Sequence, residues 1–134
     1  MVIVLPFRTP QPAASLRLRE VVKDGEGELT RWFALNRGSR AKFRIRVQHL
    51  QKTSRTEWNK KQFKYLRDGL AEIKWKCSDK EFRAVGFDFK GFFVMLLGCT
   101  HKQGVYDPHN WLNTAKKLKG EVENEQWHTA AFEP

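Results

Sequence analysis

At 134 residues the chain has the length of one domain, and a 40% hydrophobic share with ten phenylalanines and five tryptophans supplies a core, which excludes a wholly disordered protein. No apolar run approaches the ~20 residues of a membrane span, and Pro6 cuts short the Val2–Leu5 stretch, so a cytoplasmic protein with no membrane partner is expected. A net charge of +10 and a pI near 9.9 call for an anionic partner.

Residues 1–14 carry Pro6, Pro10 and Pro12 and read as an extended arm ahead of one domain over 15–120. Leu16–Val22 alternates apolar and polar side chains, as a half-buried strand does, and stops at the turn signal Asp24-Gly25. A helix is expected from about Glu26, where Glu26 and Glu28 suit an N-terminal turn, and Leu29, Trp32 and Phe33 form its apolar side. Gly38 ends it, and Ser39 caps a second helix whose Phe43, Val47 and Leu50 fall on one face. Residues 53–68 are polar and irregular, a connecting loop anchored by Trp58, Phe63, Tyr65 and Leu66. Three strands follow. Leu70–Cys77 puts Ala71, Ile73, Trp75 and Cys77 on one face and Glu72, Lys74 and Lys76 on the other; Ser78-Asp79-Lys80 turns into Phe82–Phe89, and Lys90-Gly91 into Phe92–Cys99. Asp107-Pro108 starts a last helix with Trp111, Leu112, Ala115 and Leu118 inward, and residues 121–134 form an acidic tail. The order predicts an α+β fold: an N-terminal strand, a helical hairpin, a three-stranded antiparallel meander and a C-terminal helix, with the helices on one face of the sheet.

The charge is unevenly spread. Between Glu28 and Glu57 there is no acidic residue, yet eight lysines and arginines lie there, among them Arg40 and Arg44, and Lys60, Lys61 and Lys64 extend the bias. Unmixed charge of this kind marks a footprint for nucleic acid, or for an acidic protein. Cys77 and Cys99 sit in apolar strands without CxxC spacing and read as buried reduced thiols. The four histidines (His49, His101, His109, His128) lack metal-ligand spacing, no phosphate-binding glycine loop is present, and no cofactor is expected. Trp58 is a candidate platform for stacking a base.

Several segments taken together resemble a known family. Ser39–Leu50 is similar to the second helix of the RelE/ParE superfamily of toxin–antitoxin toxins, in particular its HigB-like, phage-associated branch. Leu66-Arg-Asp-Gly-Leu-Ala-Glu-Ile-Lys74 resembles that family's entry to its second strand, Glu81–Phe87 its third strand, and Phe93–Lys102 its last. The resemblance covers about residues 16–118. It implies a ribosome-dependent mRNA endonuclease that inhibits translation, with mRNA, the ribosome and a cognate antitoxin as partners and a hetero-oligomer with that antitoxin as one possible assembly. The alternatives it leaves open are a ParE-like gyrase inhibitor and a nucleic-acid-binding member that cuts nothing.

Cleavage of this kind needs an activated 2′-OH, a stabilised phosphate and a protonated leaving oxygen. Carried over from the family, Lys74 and Lys76 are the strand lysines and Arg83 the phosphate clamp. His101 and Lys102 form the basic pair after the last strand, and Tyr106 is the terminal tyrosine. Arg40, Arg44, Lys60, Lys61 and Lys64 are the expected RNA-binding residues, the second helix also meeting antitoxin or ribosome.

Overall fold

The computed structural model describes residues 16–134; the expected arm over 1–14 lies outside them. In chain order the elements are β1 (Leu18–Lys23), β2 (Glu26–Gly27), α1 (Glu28–Leu35), α2 (Arg37–Gln51), β3 (Phe63–Tyr65), β4 (Ala71–Cys77), β5 (Lys80–Phe89), β6 (Phe92–Lys102), β7 (Val105–Asp107), α3 (Trp111–Glu123) and β8 (His128–Ala131). All eight strands join one mixed sheet, ordered β2-β1-β6-β5-β4-β3, with β7 on β6 and β8 on β1. β1 runs parallel to β6 and antiparallel to β8.

Four two-residue turns set most of this sheet. Asp24-Gly25, Ser78-Asp79, Lys90-Gly91 and Gln103-Gly104 each hold both residues at positive φ, the turn type whose twist matches that of the strands it joins. The two-residue turn at Ser78-Asp79 fixes the register of β4 on β5, pairing Lys74 with Arg83 and Lys76 with Glu81. Between β5 and β6 the register shifts: Val85 faces Leu97 but Gly86 faces Met95, leaving Leu96 as an extra residue. Because side chains alternate along a strand, one extra residue reverses the faces beyond it. Val94 and then Leu97 and Cys99 therefore point to the same side, and His101 follows them there.

Helices cover both faces. On one, α1 and α2 press Phe33, Phe43 and Val47 against Trp75, Phe82 and Phe93. The Glu20 carboxylate, reaching from β1, accepts hydrogen bonds from the Thr30 backbone N–H (2.8 Å) and hydroxyl (2.6 Å), satisfying donors in the first turn of α1. On the other, α3 lays Ala115, Leu118 and Val122 over Val85, Phe87, Val94 and Leu97. Each large apolar side chain so buried contributes roughly 1.5–3 kcal/mol.

The expected layout of one strand, a helical hairpin, a three-stranded meander and a helix is therefore corrected. The protein is α+β, but the sheet dominates, carries eight strands rather than four and has helices on both faces. Part of the expected 53–68 loop is β3, and Thr100–Lys102 with β7 extends the meander into a fourth strand. Residues 121–134 complete α3 and form β8, whose following Phe132 is buried against Phe33 and Phe43. The cause is length: strands of two to four residues show no period, and their pairing partners select them. Ser39 does not cap α2, which starts at Arg37; its buried hydroxyl donates to the Asn36 carbonyl instead.

Candidate functional site

α3 covers only part of its sheet face. Toward the β4–β5 and β6–β7 hairpin tips the same face presents polar side chains. Alternation puts Glu72, Lys74 and Lys76 of β4 there, register puts Glu81 and Arg83 of β5 beside them, and the β6 bulge brings in Cys99 and His101. β3 adds Lys64, paired with Glu72 across the ladder, and β7 adds Tyr106, paired with His101.

The cluster is organised around two buried charges, Glu72 at 1% and Arg83 at 4% exposure. Arg83 Nη2 donates to Glu81 Oε1 (2.8 Å) and Nη1 to the Phe82 carbonyl (3.1 Å), while Nε lies 3.6 Å from Glu72 Oε1 without a hydrogen bond. The Tyr106 hydroxyl donates to the same Glu72 oxygen at 2.7 Å. Its ring stacks on Trp111 at 4.4 Å and meets His101 edge-on at 4.9 Å. His101 Nδ1 is 3.8 Å from Glu81 Oε1, within ion-pair range when the imidazole is protonated. The chain of contacts thus runs Tyr106–Glu72–Arg83–Glu81–His101.

These surroundings shift titrations. Burial, then the positive charge of Arg83, pulls the Lys74 amine below the ordinary lysine value, with Lys64 adding to the effect and Glu72 opposing it. The hydrogen bond from Arg83 holds the Glu81 carboxyl below the usual range. Burial and the Glu72 carboxylate push Tyr106 up, so it stays a neutral hydroxyl. Burial pushes the Cys99 thiol up to about 12, which removes it as a nucleophile.

Of the residues expected from sequence, Lys74, Lys76, Arg83, His101 and Tyr106 are brought together on this face, as is Lys64. Lys102 is not on this face: alternation along β6 turns it to the other side of the strand from His101, where it is exposed at the rim of the cleft between the hairpin tips. Arg83 is present but occupied, so as it stands its guanidinium holds carboxylates and does not offer a bidentate clamp. Lys60 and Lys61 lie on the exposed approach to β3, where the Lys60 carbonyl accepts a hydrogen bond from Lys74 Nζ (3.2 Å). Arg44 is exposed on α2, across the sheet from the cluster. Arg40 is committed to the C-terminal segment, donating to the Glu133 carbonyl (2.6 Å) and lying 4.8 Å from the Phe132 ring centre. Trp58 donates to the Leu50 carbonyl and packs on Phe63, which makes it part of the core's edge.

Sequence reasoning left Glu72 and Glu81 without roles. Glu72 stood on the polar face of its strand between apolar neighbours, a usable signal; Glu81 needed the two-residue turn to be placed. Beside His101 and Glu81, between the two hairpin tips, opens a cleft of about 940 Å³, also lined by Lys80, Thr100, Lys102 and Asp107. Among the described residues, no three His, Cys, Asp or Glu side chains are grouped so as to hold a metal ion, and no helix is long and apolar enough to cross a membrane. No family model, no curated protein and no solved structure matches the chain.

Proposed function

We propose that this protein is a toxin of the toxin–antitoxin kind that cleaves mRNA on the ribosome, as the sequence resemblance implies, and that the polar face of β4–β6 is its active surface. The observation that carries this reading is that His101 and Glu81, which line an open cleft, share one sheet face with Lys76, Lys74 and, farther along it, Lys64. His101, backed by Glu81, exchanges a proton with the attacking 2′-OH or the leaving 5′ oxygen, steps that an imidazole suits near neutral pH. Lys76, across Glu81 from His101, stabilises the charge on the phosphate, and Lys64 holds a phosphate farther along the face. Lys74, with its lowered proton affinity, serves as a base, taking a proton as the neutral amine. Arg83 positions Glu81, and Tyr106 with Glu72 fixes Arg83 from below. The exposed basic side of α2 is where an acidic antitoxin docks in the cytoplasm.

A second reading has one observation in its favour. Arg83 is consumed by Glu72 and Glu81, which suits a member of the family that binds RNA without cutting it. Induced expression followed by pulse-labelling separates the possibilities. Amino-acid incorporation should stop first, with mRNA ends appearing inside reading frames. Arrest of translation with intact mRNA would leave a binding protein; early loss of thymidine incorporation would mean a gyrase inhibitor.

A further inference from the structure

The opposite end of the α3-covered sheet face holds a second cluster. A groove of about 360 Å³ opens there between the β5–β6 turn, β1 and the segment after α3. Its aromatic walls are Phe89, Phe92 and Trp127, all half-buried. Each carries a cation: Arg17 and Arg19 lie 4.7 and 5.1 Å from the Phe92 ring centre, Lys23 5.3 Å from Trp127 and Lys90 5.1 Å from Phe89. Arg19 is fixed in place, its Nε donating to the Thr129 hydroxyl and its Nη2 to the Thr129 carbonyl, both at 2.7 Å. Arg17 and Lys90 are exposed. One carboxylate, Glu125, lines the groove against Arg19, Lys90 and His128; the nearby Glu121 accepts a hydrogen bond from the Trp127 indole.

Rings and guanidinium planes that stack, interleaved with cations that reach outward, are the elements a single strand of nucleic acid requires: π-faces for bases and charges for phosphates. An acidic peptide would use the cations but has no need of three aromatic walls. We propose that this groove is a binding site for single-stranded RNA, with a base stacked on the Arg17–Phe92 pair, a second against Trp127, and flanking phosphates held by Lys90 and Lys23. It is separate from the His101 cluster. Phe92 and His101 are nine residues apart on β6, roughly 30 Å at about 3.3 Å per residue, so one phosphate cannot occupy both. The groove therefore binds RNA whether or not the His101 cluster cuts it.

The test is fluorescence anisotropy with a labelled oligouridylate of about a dozen nucleotides and the full chain. Arg17→Glu and Lys90→Glu change exposed residues, so folding is not at risk; each should weaken binding about tenfold, and Trp127→Ala by a similar factor. Arg17→Glu and Lys90→Glu leave the His101 cluster untouched, so weaker binding in them reads this groove and not the proposed nuclease centre. Lys117→Glu, an exposed α3 charge change outside the groove, is the control. Equal weakening by Lys117→Glu, or displacement of the oligonucleotide by polyglutamate as readily as by unlabelled RNA, would overturn the proposal in favour of plain charge attraction. Unchanged affinity in Arg17→Glu and Lys90→Glu would overturn it outright.

Discussion

Replacing Glu72 with alanine should destabilise the protein far more than a polar-to-alanine change on a strand normally does. Both members of the Glu72–Arg83 pair are buried, at 1% and 4% exposure, so the substitution leaves a guanidinium out of water with part of its compensation gone. Breaking a buried ion pair costs about 3–5 kcal/mol. Here Arg83 keeps its 2.8 Å bond to Glu81 and its bond to the Phe82 carbonyl, which places Glu72→Ala near the lower end, at about 3 kcal/mol. Tyr106 also loses its acceptor, but it is half-exposed and water can replace it. Glu72→Gln keeps that acceptor and the shape and should cost about 1–2 kcal/mol. Glu72→Leu combined with Arg83→Met removes both charges; Glu81, partly exposed, is then solvated, and the double variant should return to within about 1 kcal/mol of wild type. Urea denaturation of the set measures all three values, and Glu72→Ala should lower Tm by roughly 10 °C. A loss below about 1 kcal/mol for Glu72→Ala, or a double variant no more stable than Glu72→Ala, would refute the view that the pair holds the site together.

Three further outcomes follow from the geometry. Cys77, half-exposed, should be alkylated by iodoacetamide in the native protein, while Cys99, buried with its thiol raised to about 12, should react only after denaturation; mass spectrometry of the two peptides decides. Lys74 binds its proton less tightly folded than unfolded, so its acylation rate should level off at lower pH than that of an ordinary lysine amine, and stability should rise with pH in the alkaline window between its folded and unfolded values. A Lys74 profile that overlays the ordinary one would remove it as a base. Gly98→Ala should cost about 1–3 kcal/mol in chemical denaturation, because the added methyl would overlap the Trp32 indole packed on that spot.

How much of this could be read beforehand depends on whether the cause is local. β4, β5 and β6 are legible because long alternating or apolar runs carry their own period, and the split of β4 into Ala71/Ile73/Trp75 and Glu72/Lys74/Lys76 is legible for the same reason. The two helices of the hairpin were legible from Leu29, Phe33, Phe43, Val47 and Leu50, all buried. β3 and β8 were not legible. Phe63-Lys-Tyr65 and His128-Thr-Ala-Ala131 have no pattern of their own and become strands because β4 and β1 offer them an edge. At the site, Ser78-Asp79-Lys80 reads in sequence as a three-residue turn, whereas the turn is Ser78-Asp79 and Lys80 opens β5, so the pairing of Lys76 with Glu81 is not legible. The bulge at Leu96 was invisible, since no residue type marks it, yet it decides that His101 and not Lys102 joins Lys74 and Arg83.

The proposed activity turns on His101 more than on any other side chain, and cleavage of an mRNA on programmed ribosomes reads it directly. With wild-type protein, the message should be cut within the reading frame, and His101→Ala should slow the cut by a factor of about 10² or more, the scale of a lost proton-transfer group. Arg44→Ala, across the sheet, should keep the same rate at saturating ribosomes. Cleavage by His101→Ala at the wild-type rate, with circular dichroism showing both proteins folded, would contradict the assignment of the chemistry to this face.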